Sequence, residues 1–308
     1  MDNNLYSAII PVYNSEKIVA ETVRQTLKAF EQFDKKCEIV LINDGSKDKS
    51  WAAIKALAQK HPEVVAINLL KNYGQHTAVL CGCKYAKGDY LITLDDDLQN
   101  PPSEIIHLIN KIHEGYDLVF AKFRTKKHKS YRKLGTKVIN YLNEKVFNKP
   151  EDITLTNFRI FTRDVAQRII SHRTYHPYIP GLLLMYSSAI ANVYTEHESR
   201  SVGQSNYSAY KIIKLVARLL FNYSSYPLKL LTSIGIIMAL IGFMIGLFYM
   251  FKAFFVGTVV PGWTTLIVLL SFFNGFTIIM IGILGEYITR MMSQISTQQS
   301  YQIKEIAR

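Results

Sequence analysis

Residues 89–102 read DYLITLDDDLQNPP, a short apolar run that ends on three consecutive aspartates. Neighbouring carboxylates repel one another, so this triplet requires a cation or basic side chains close by. In an extended segment the first and third side chains point the same way. We therefore predict that Asp95 and Asp97 bind one divalent cation that holds a diphosphate, and hard oxygen ligands of this kind suit Mg²⁺ or Mn²⁺.

The same triplet is also compatible with a solvated acidic turn or a helix cap. The residues that follow it narrow this choice. Leu98-Gln99-Asn100 leads into Pro101-Pro102-Ser103-Glu104, which is a typical helix start. This context favours the cation site.

The sequence around the triplet alternates between short apolar runs and segments with helical spacing. Strands are predicted at Tyr6–Tyr13, Cys37–Asn43, Val64–Leu69, Asp89–Leu94 and Asp117–Ala121. Helices are predicted at Glu16–Phe30, Lys49–Gln59, Thr77–Ala86 and Glu104–Glu114. Such alternation at short spacing indicates an α/β domain whose sheet is mostly parallel and covered by helices on both faces.

Polar clusters follow four of the predicted strands. They are Tyr13-Asn14, Asp44-Gly45-Ser46, Lys71–Gly74 and Asp95–Gln99. Because such sheets bind ligands at the carboxyl ends of their strands, we expect all four clusters to line one site. Asp44 is a candidate acceptor of hydrogen bonds from a ribose or a base, although Asp-Gly-Ser is also common turn chemistry. His76 is a candidate general base, but a cap or packing role is more usual for a lone histidine at a helix start.

Two long uncharged runs, Leu231–Phe251 and Thr264–Gly285, are each long enough to cross a membrane as a helix. A buried hydrophobic hairpin of a soluble protein is the alternative, but soluble core helices are usually shorter and amphipathic. Residues 205–230 combine apolar and aromatic positions with interspersed Lys and Arg. This pattern is typical of a helix that lies in the membrane interface, and an amphipathic core helix is its alternative.

We accordingly divide the chain into a catalytic domain at 1–204, a juxtamembrane helix at 205–230, two spans at 231–251 and 264–285, and a C-terminal tail at 286–308. The N-terminal stretch is too short and too polar for a signal peptide. Lys and Arg are dense before the first span and recur after the second, whereas 252–263 holds one basic residue. The positive-inside rule then predicts cytoplasmic termini and an outward-facing loop.

The formal net charge of +12 raises nucleic acid as a partner. The basic residues, however, cluster at 122–133 and near the predicted membrane segments, and no nucleic-acid-binding motif is visible. Anionic lipid headgroups or phosphates explain the charge more simply, so we expect no nucleic-acid partner. Cys37, Cys81 and Cys83 lack the spacing of a metal site and are interpreted as packing residues in a reducing compartment.

Four motifs match a known family. They are Ile10–Asn14 (IPVYN), Asn43–Ser46 (NDGS), Asn72–His76 (NYGQH) and Asp95–Pro102 (DDDLQNPP). With these residues the chain resembles family-2 glycosyltransferases of the GT-A, Rossmann-like fold. Within the family it resembles polyprenyl-phosphate glycosyltransferases, such as bactoprenol glucosyltransferases and the undecaprenyl-phosphate formamido-arabinose transferase. The resemblance continues through 157–160, 200–207 and 284–287 and includes the two-span hairpin, so it covers nearly the whole chain.

The resemblance implies roles for individual residues. The residues implied to bind the nucleotide sugar are Pro11, Tyr13, Asn14, Asp44, Lys71 and Asp96. The implied catalytic residues are Asp95 and Asp97, which would bind the metal, Gln99, which would lie by the sugar, and Arg159. The residues implied to receive the acceptor phosphate are Arg124, Arg200, Ser205 and Lys211. Arginine suits this task because its planar guanidinium matches phosphate oxygens.

Three positions depart from the family pattern. The family often has Glu where this chain has Ser15, Asp where it has Asn157, and Lys where it has Asn206. Asn157 removes a candidate carboxylate base. Asn206 removes one basic contact to the acceptor, which Arg200 or Lys211 would replace.

The resemblance implies inverting transfer of a sugar from a nucleotide sugar, by default UDP-linked, to undecaprenyl phosphate. It further implies a homo-oligomeric, multi-pass protein of the bacterial inner membrane, with its catalytic domain in the cytoplasm. Transfer to another lipid acceptor and a catalytically inactive membrane-tethered protein that binds nucleotide sugars are the alternatives. A processive polysaccharide synthase is disfavoured, because such enzymes carry a Gln-x-x-Arg-Trp motif that neither Trp51 nor Trp263 provides.

Overall fold

The computed structural model describes residues 3–123, 130–172, 174, 177–196, 216, 223, 226–256, 262–295 and 301–308. The chain divides into two compact units. The first contains Met1–Ile212 together with Gln298–Arg308, and the second contains Ile213–Thr297. Each unit is described by itself.

The first unit is built on an eight-stranded sheet. Its strands are β1 Leu5–Val12, β2 Lys36–Asn43, β3 Val64–Leu69, β4 Tyr90–Thr93, β5 Leu118–Phe123, β6 Arg159–Thr162, β7 Ile190–Thr195 and β8 Ile303–Ala307. Their order across the sheet is β7-β5-β6-β4-β1-β2-β3-β8. The pairs β4-β1-β2-β3 and β5-β7 are parallel, while β6 and β8 run antiparallel to their neighbours. The predicted mostly parallel sheet is therefore confirmed.

Helices cover both faces of this sheet. They are α1 Val19–Gln32, α2 Ser50–Lys60, α3 Gln75–Tyr85, α4 Ile105–Ile112, α5 Ser130–Phe147, α6 Arg163–Ser171 and α7 Ile179–Tyr186. Apolar residues of α1, α2 and α4 share one buried cluster with alternate residues of the central strands. On the other face α3 packs against β1 and β2 and contacts α6 and α7. Because both faces are covered, β1 and β2 are buried along nearly their whole length, as parallel strands usually are.

The predicted strands and helices of residues 6–121 are all present, and β3 has the predicted bounds. Helix α1 begins at Val19 and not at Glu16, since the residues before it form a loop with its own hydrogen bonds. A short 3-10 turn at Pro102–Glu104 precedes α4. The strands β6, β7 and β8 were not among the predicted elements. Strand β8 lies within the segment that the sequence analysis treated as a tail.

Helix α3 packs on the sheet at Gly82 with almost no space between them. A Cβ atom at this position would lie 2.4 Å from Ile9 Cγ2 and 2.8 Å from Ile42 Cδ1. Both isoleucines are fully buried. Glycine here lets the helix axis approach β1 and β2, which places the first turn of α3 beside the carboxyl ends of those strands.

The second unit contains two long helices, α8 Tyr226–Val256 and α9 Trp263–Ile295. Large apolar side chains are exposed along both, among them Leu230, Ile236, Phe248, Ile278 and Met292. Within the described residues one stretch, Phe272–Thr289, has the length and composition of a membrane span, and Tyr226–Met238 is apolar but shorter. Residues 226–230, assigned to a juxtamembrane helix from sequence, belong to α8, and most of 205–225 lies outside the described residues.

Replacing Gly82 with valine tests the close packing of α3. The new side chain would overlap Ile9 and Ile42, so we expect the free energy of unfolding to fall by about 2 kcal/mol or more. For a domain of this size that corresponds to a loss of about 4–8 °C in unfolding temperature. Thermal denaturation in detergent measures the change. Lys84→Val is the control, because it places the same β-branched residue in the same helix at an exposed position. Equal unfolding temperatures for the two variants would contradict the close packing.

Candidate active site

The carboxyl ends of β4, β1, β2 and β3 are neighbours, so the four polar clusters that follow these strands meet at one edge of the sheet. Strand β6 runs antiparallel to β4, and Arg159 at its start pairs with Thr93 at the end of β4. The chain just before β6, which includes Asn157, therefore reaches the same edge. The prediction that the four polar clusters meet at one edge of the sheet is therefore confirmed.

Asp95 lies at the centre of this edge, between two amide side chains. Gln75 Nε2 donates a hydrogen bond of 2.5 Å to Asp95 Oδ1. Asn157 Nδ2 lies 3.4 Å from Asp95 Oδ2. Burial raises the pKa of Asp95 and the charge of Asp97 raises it further, while the two amides and Arg159 oppose the shift. The negative charge of Asp95 is thus held by neutral donors and one nearby cation.

Asp96 and Asp97 do not continue the extended segment on which the sequence argument relied. Strand β4 ends at Thr93, and Asp96 and Asp97 form a turn. Leu98 follows with a φ of 55°, in the left-handed region that costs energy for a residue with a Cβ. A hydrogen bond of 3.2 Å from the Gln99 backbone N–H to Asp97 Oδ1 closes this turn. The proximity of Asp95 and Asp97 therefore comes from a turn and not from strand alternation.

The carboxylate of Asp96 faces the loop after β1. Hydrogen bonds from the Ser15 hydroxyl and the Tyr13 backbone N–H lower its pKa, but burial has the larger effect and raises that pKa to about 6. Its Oδ2 atom is buried without a hydrogen-bond partner among the described residues. The backbone carbonyl of Asp96 also accepts a 3.0 Å hydrogen bond from Thr22 Oγ1. Asp96 thereby fixes the segment that carries Tyr13, a predicted nucleotide-binding residue.

Asp44 joins the loops after β2 and β3. It is 4% exposed, and its two oxygens accept hydrogen bonds from the Tyr73 backbone N–H at 2.7 Å and the Gly74 backbone N–H at 2.9 Å. Burial raises its pKa, and these two hydrogen bonds oppose the shift. Next to it Gly45 has a φ of +64°, and a Cβ there would lie 2.4 Å from Asn72 N. The contact between the two loops therefore requires glycine.

The loops after β1 and β2 are held together by a second set of hydrogen bonds. The Asn14 backbone N–H donates to Ser46 Oγ at 2.9 Å, and the Lys47 backbone N–H donates to Asn14 Oδ1 at 2.9 Å. The Ser15 backbone N–H donates to Ser50 Oγ at 2.8 Å. Asn14, predicted to bind the nucleotide, thus joins two loops through its side chain.

Two further residues predicted to bind the nucleotide, Tyr13 and Lys71, have exposed side chains at this edge. Tyr13 is 46% exposed. Lys71 Nζ lies 5.4 Å from the centroid of the Tyr73 ring, within the range of a cation–π contact. A flat ring and a cation at the open side of the edge can bind a base and a phosphate.

A small open pocket lies between the carboxyl ends of β1 and β4 and the start of α3. Its lining residues are Pro11, Gln75, His76, Val79, Thr93, Leu94, Asp95, Asn157 and Arg159. Pro11 stands beyond the last residue pair of β1 with β4, which joins Ile9 and Thr93. Because proline has no N–H, it leaves no backbone donor unpaired where the two strands separate.

Arg159 supplies a buried positive charge to this pocket. It is 1% exposed, its Nε donates to Thr93 Oγ1 at 3.1 Å, and its Nη1 donates to the Thr156 carbonyl at 3.3 Å. Its guanidinium also lies 6.0 Å from the Phe120 ring centroid. Burial lowers its pKa to about 10, and the charge of Asp95 is among the effects that oppose this. Arg159 therefore stays protonated at neutral pH and faces the acidic side of the pocket.

Gln75 and Thr93 line this pocket and Tyr178 contacts His76, but none of the three was predicted from the sequence as a site residue. Gln75 lies within the NYGQH motif, so its position was available as a signal. Tyr178 is the N-cap residue of α7, and its ring lies 5.4 Å from the His76 ring in an edge-to-face contact. Asn143 Nδ2 donates to the Tyr178 hydroxyl at 3.3 Å. This contact fits a packing role for His76, and no motif near residue 178 marks it.

For the four residues predicted to receive the acceptor phosphate, the prediction is not tested by the described part of the chain. Arg124, Arg200, Ser205 and Lys211 all lie outside the described residues. The structure therefore bears on the donor side of the predicted site, and the acceptor side stays a prediction.

The family model described as Glycosyl transferase family 2 matches residues 7–170, which include the carboxyl ends of β1 to β4 and the start of β6. The chain belongs to glycosyl transferase family 2. A relative from Proteus mirabilis (strain HI4320), named undecaprenyl-phosphate 4-deoxy-4-formamido-L-arabinose transferase, is 32% identical over 306 residues, covering 98% of this chain and 94% of the relative. A relative of the same name from Shewanella sediminis (strain HAW-EB3) is 34% identical over 307 residues, covering 97% of this chain and 92% of the relative.

Solved structures of other glycosyltransferases share the fold of this family-2 chain. Glucosyl-3-phosphoglycerate synthase from Mycobacterium tuberculosis, in complex with Mn²⁺, UDP and phosphoglyceric acid, matches with a TM-score of 0.52 and 16% identity over 70% of this chain and 76% of that one. The same synthase with Mg²⁺ and UDP matches with a TM-score of 0.51 and 16% identity over 70% and 77%. The predicted GT-A fold, family membership and glycosyltransferase class are confirmed.

The raised pKa of Asp96 predicts a particular pH dependence of stability in this family-2 glycosyltransferase. A carboxyl whose pKa is higher in the folded state than in the unfolded state loses its stabilising contribution as the pH rises through the folded value. Asp96→Asn removes this loss. We expect the unfolding free energy of the variant, relative to wild type, to rise by about 1–3 kcal/mol between pH 4.5 and 7.5. Thermal denaturation in the presence of a chelator measures this difference.

Asp48→Asn is the control for this experiment. Burial alone would raise the pKa of Asp48, but hydrogen bonds from Ser50 and Glu16 lower it overall. The stability that depends on Asp48 is therefore lost at more acidic pH, and its difference from wild type should stay nearly flat between pH 4.5 and 7.5. A flat profile for Asp96→Asn as well would contradict the buried, raised carboxyl.

Proposed function

We propose that this enzyme transfers a sugar, with inversion, from a UDP-linked nucleotide sugar to undecaprenyl phosphate at the cytoplasmic face of the bacterial inner membrane. The observation that carries the proposal is the similarity, at 32% and 34% identity over nearly the full length, to relatives named for transfer to undecaprenyl phosphate. The acidic edge and its buried arginine support it, since they combine the charges that a nucleotide diphosphate requires. The transferred sugar would serve the modification of a cell-envelope glycan or lipid.

The residues at this edge fit a divalent cation held jointly with the donor. Asp95 and Asp97 supply hard oxygen atoms, and the charge of Asp97 raises the pKa of Asp95, a repulsion that a cation would relieve. Among the described residues no group of three His, Cys, Asp or Glu side chains is arranged to hold a metal. Mg²⁺ and Mn²⁺ are commonly bound through one or two carboxylates with substrate phosphates completing the shell. Asp95 and Asp97 would hold the ion, which would neutralise charge on the departing diphosphate.

The amides and the arginine around Asp95 have a positioning and electrostatic task in this proposal. Gln75 and Asn157 orient the Asp95 carboxylate through its two oxygens. Arg159, buried beneath them, favours binding of an anionic donor or acceptor in the pocket. Gln99, next to the turn at Asp97, would lie by the sugar. Tyr13, Lys71 and Asp44 would bind the nucleotide at the open side of the edge.

The acceptor would need no protein base. A phosphate monoester has a second pKa of about 6, so at neutral pH it is largely a dianion with little proton left to remove. Related enzymes often have a carboxylate where this chain has Asn157, whose amide cannot act as a base. Asn157 is compatible with a dianionic acceptor, because such an acceptor has no proton that a base must remove. The site must still bring the anionic acceptor phosphate close to the anionic donor diphosphate. The residues that would assist by binding the acceptor phosphate are Arg124, Arg200, Ser205 and Lys211.

The apolar helices α8 and α9 support the membrane part of the proposal. A helix that is apolar on all sides is buried in protein or in lipid, and the exposed apolar side chains of both helices favour lipid. We propose that both span the bilayer, within the boundaries 231–251 and 264–285, with the domain at 1–204 and the tail in the cytoplasm. The juxtamembrane segment at 205–230 would lie in the interface, and membrane lipid and a second copy of the chain would be the further partners.

Replacing Asp97 with alanine tests the donor site. We expect kcat for sugar transfer to fall by about 10²–10³-fold, because charge on the leaving group loses its stabilisation. The assay incubates the purified protein and Mg²⁺ with undecaprenyl phosphate and a panel of nucleotide sugars, and identifies the lipid product by mass. Asp152→Ala is the control, since Asp152 is an exposed carboxylate away from the pocket. Unchanged transfer by Asp97→Ala, or transfer to no polyprenyl phosphate from any donor, would overturn the proposal.

The proposed topology predicts the accessibility of two single cysteines. Thr258→Cys, at a position between α8 and α9 in the sequence, should react with a membrane-impermeant maleimide in intact spheroplasts. Lys304→Cys, exposed on β8, should react only after the membrane is permeabilised. The native cysteines give little background, because Cys81 and Cys83 are buried and burial raises the pKa of all three thiols to about 12. Labelling of Lys304→Cys in intact spheroplasts would contradict this orientation.

A further inference from the structure

Strand β8 pairs antiparallel with β3 at the edge of the sheet. The paired residues are Ala66 with Ala307, Ile67 with Ile306, Asn68 with Glu305 and Leu69 with Ile303. A further hydrogen bond of 2.9 Å, from the Leu70 backbone N–H to the Gln302 carbonyl, extends the pairing beyond the end of β3. Because the strands are antiparallel, the start of β8 lies at the carboxyl edge of the sheet, beside the loop at 70–74.

Tyr301, just before β8, joins this strand to α3. Its side chain is 6% exposed, and its hydroxyl is hydrogen-bonded to the Cys81 thiol. Burial raises the pKa of Tyr301, so the phenol stays neutral. Gln75, whose amide donates to Asp95, begins the same helix. The contact therefore supports α3 from the outer edge of the sheet.

Glu305 joins β8 to α2 through an ion pair with Lys55. Its carboxylate lies 2.5 Å from Lys55 Nζ, with both side chains about 40% exposed. The hydrogen bond from Lys55, with a smaller effect of Trp51, lowers the pKa of Glu305. An ion pair this exposed adds little to stability by itself, so it supplements the pairing of β8 with β3.

The loop at 70–74 is the part of the donor site that these contacts surround. On one side Asp44 accepts hydrogen bonds from the Tyr73 and Gly74 backbone N–H groups. On the other side the Leu70 N–H is bound by β8. The loop carries Lys71 at its start and leads into Gln75, so its position sets where both side chains stand.

We propose that β8 is a positioning element of the donor site, which fixes the loop at 70–74 and the first turn of α3 for binding of the nucleotide sugar. The inference rests on the proposed function in taking this loop as part of the donor site. Tyr301 is then a positioning residue, since it acts through α3 and touches no reacting group. The segment after the second apolar helix thereby takes part in substrate binding.

Tyr301→Ala in the full-length protein tests the inference. We expect the KM for the nucleotide sugar to rise about tenfold while kcat changes less than about threefold, because donor binding is affected and the chemistry is not. Hydrogen exchange at the amides of residues 70–76 should become about tenfold faster. Lys304→Ala is the control, since Lys304 lies three residues further along, in β8, and its side chain is exposed; it should leave both quantities unchanged.

A charge reversal provides a second variant that changes no buried residue. Glu305→Lys should raise the donor KM and the exchange rate of residues 70–76, and Lys55→Glu in the same molecule should restore both. Unchanged donor KM in Tyr301→Ala, or exchange at 70–76 equal to wild type, would overturn the inference. A wild-type protein that transfers no sugar would contradict the proposed function instead, and the exchange data would then decide the positioning role alone.

Discussion

Three carboxylates at the end of one short strand impose the constraint on which the rest of the donor edge depends. The negative charge of each carboxylate must be stabilised by neighbouring groups that leave the pocket open. The stabilising groups differ among the three. Asp95 is held by two amides with Arg159 beneath, Asp96 by donors of the β1 loop, and Asp97 by the backbone of its own turn. The arrangement leaves two carboxylates, Asp95 and Asp97, close enough to repel one another at an open edge, as binding of a cation together with a diphosphate would require.

The loops at this edge depend on one another as much as on their strands. Asp44 joins the loops after β2 and β3, and Asn14 joins those after β1 and β2. In both cases a residue that resembles a ligand-binding position of the family has a structural task. A side chain that is held by backbone hydrogen bonds is ordered before the ligand arrives, so binding orders fewer groups. The two tasks are therefore compatible, and a variant at either position changes both.

The sequence predicted the architecture well where periodicity and strand ends carry the information. Alternation of apolar runs with helical spacing located β1 to β5, and the polar clusters at their ends gave the donor edge. Prediction from the sequence failed for elements and contacts that have no periodic signal. Strand β8 has Lys304 and Glu305 in five residues and is only half-buried, as edge strands often are. The turn at Asp96-Asp97 was missed because strand alternation was extended past Thr93, and Tyr178 because its contact with His76 joins residues far apart in sequence.

The order of elements along the chain determines the order in which the strands of the sheet are synthesised. Strand β8 pairs with β3, yet both apolar helices lie between them in the sequence. The ribosome therefore completes α8 and α9 before the residues that cover the β3 edge emerge. Until then β3 exposes unpaired backbone groups, which can pair with other chains. If the helices enter the bilayer as they are made, the newly made domain finishes folding only after it has been delivered to its membrane.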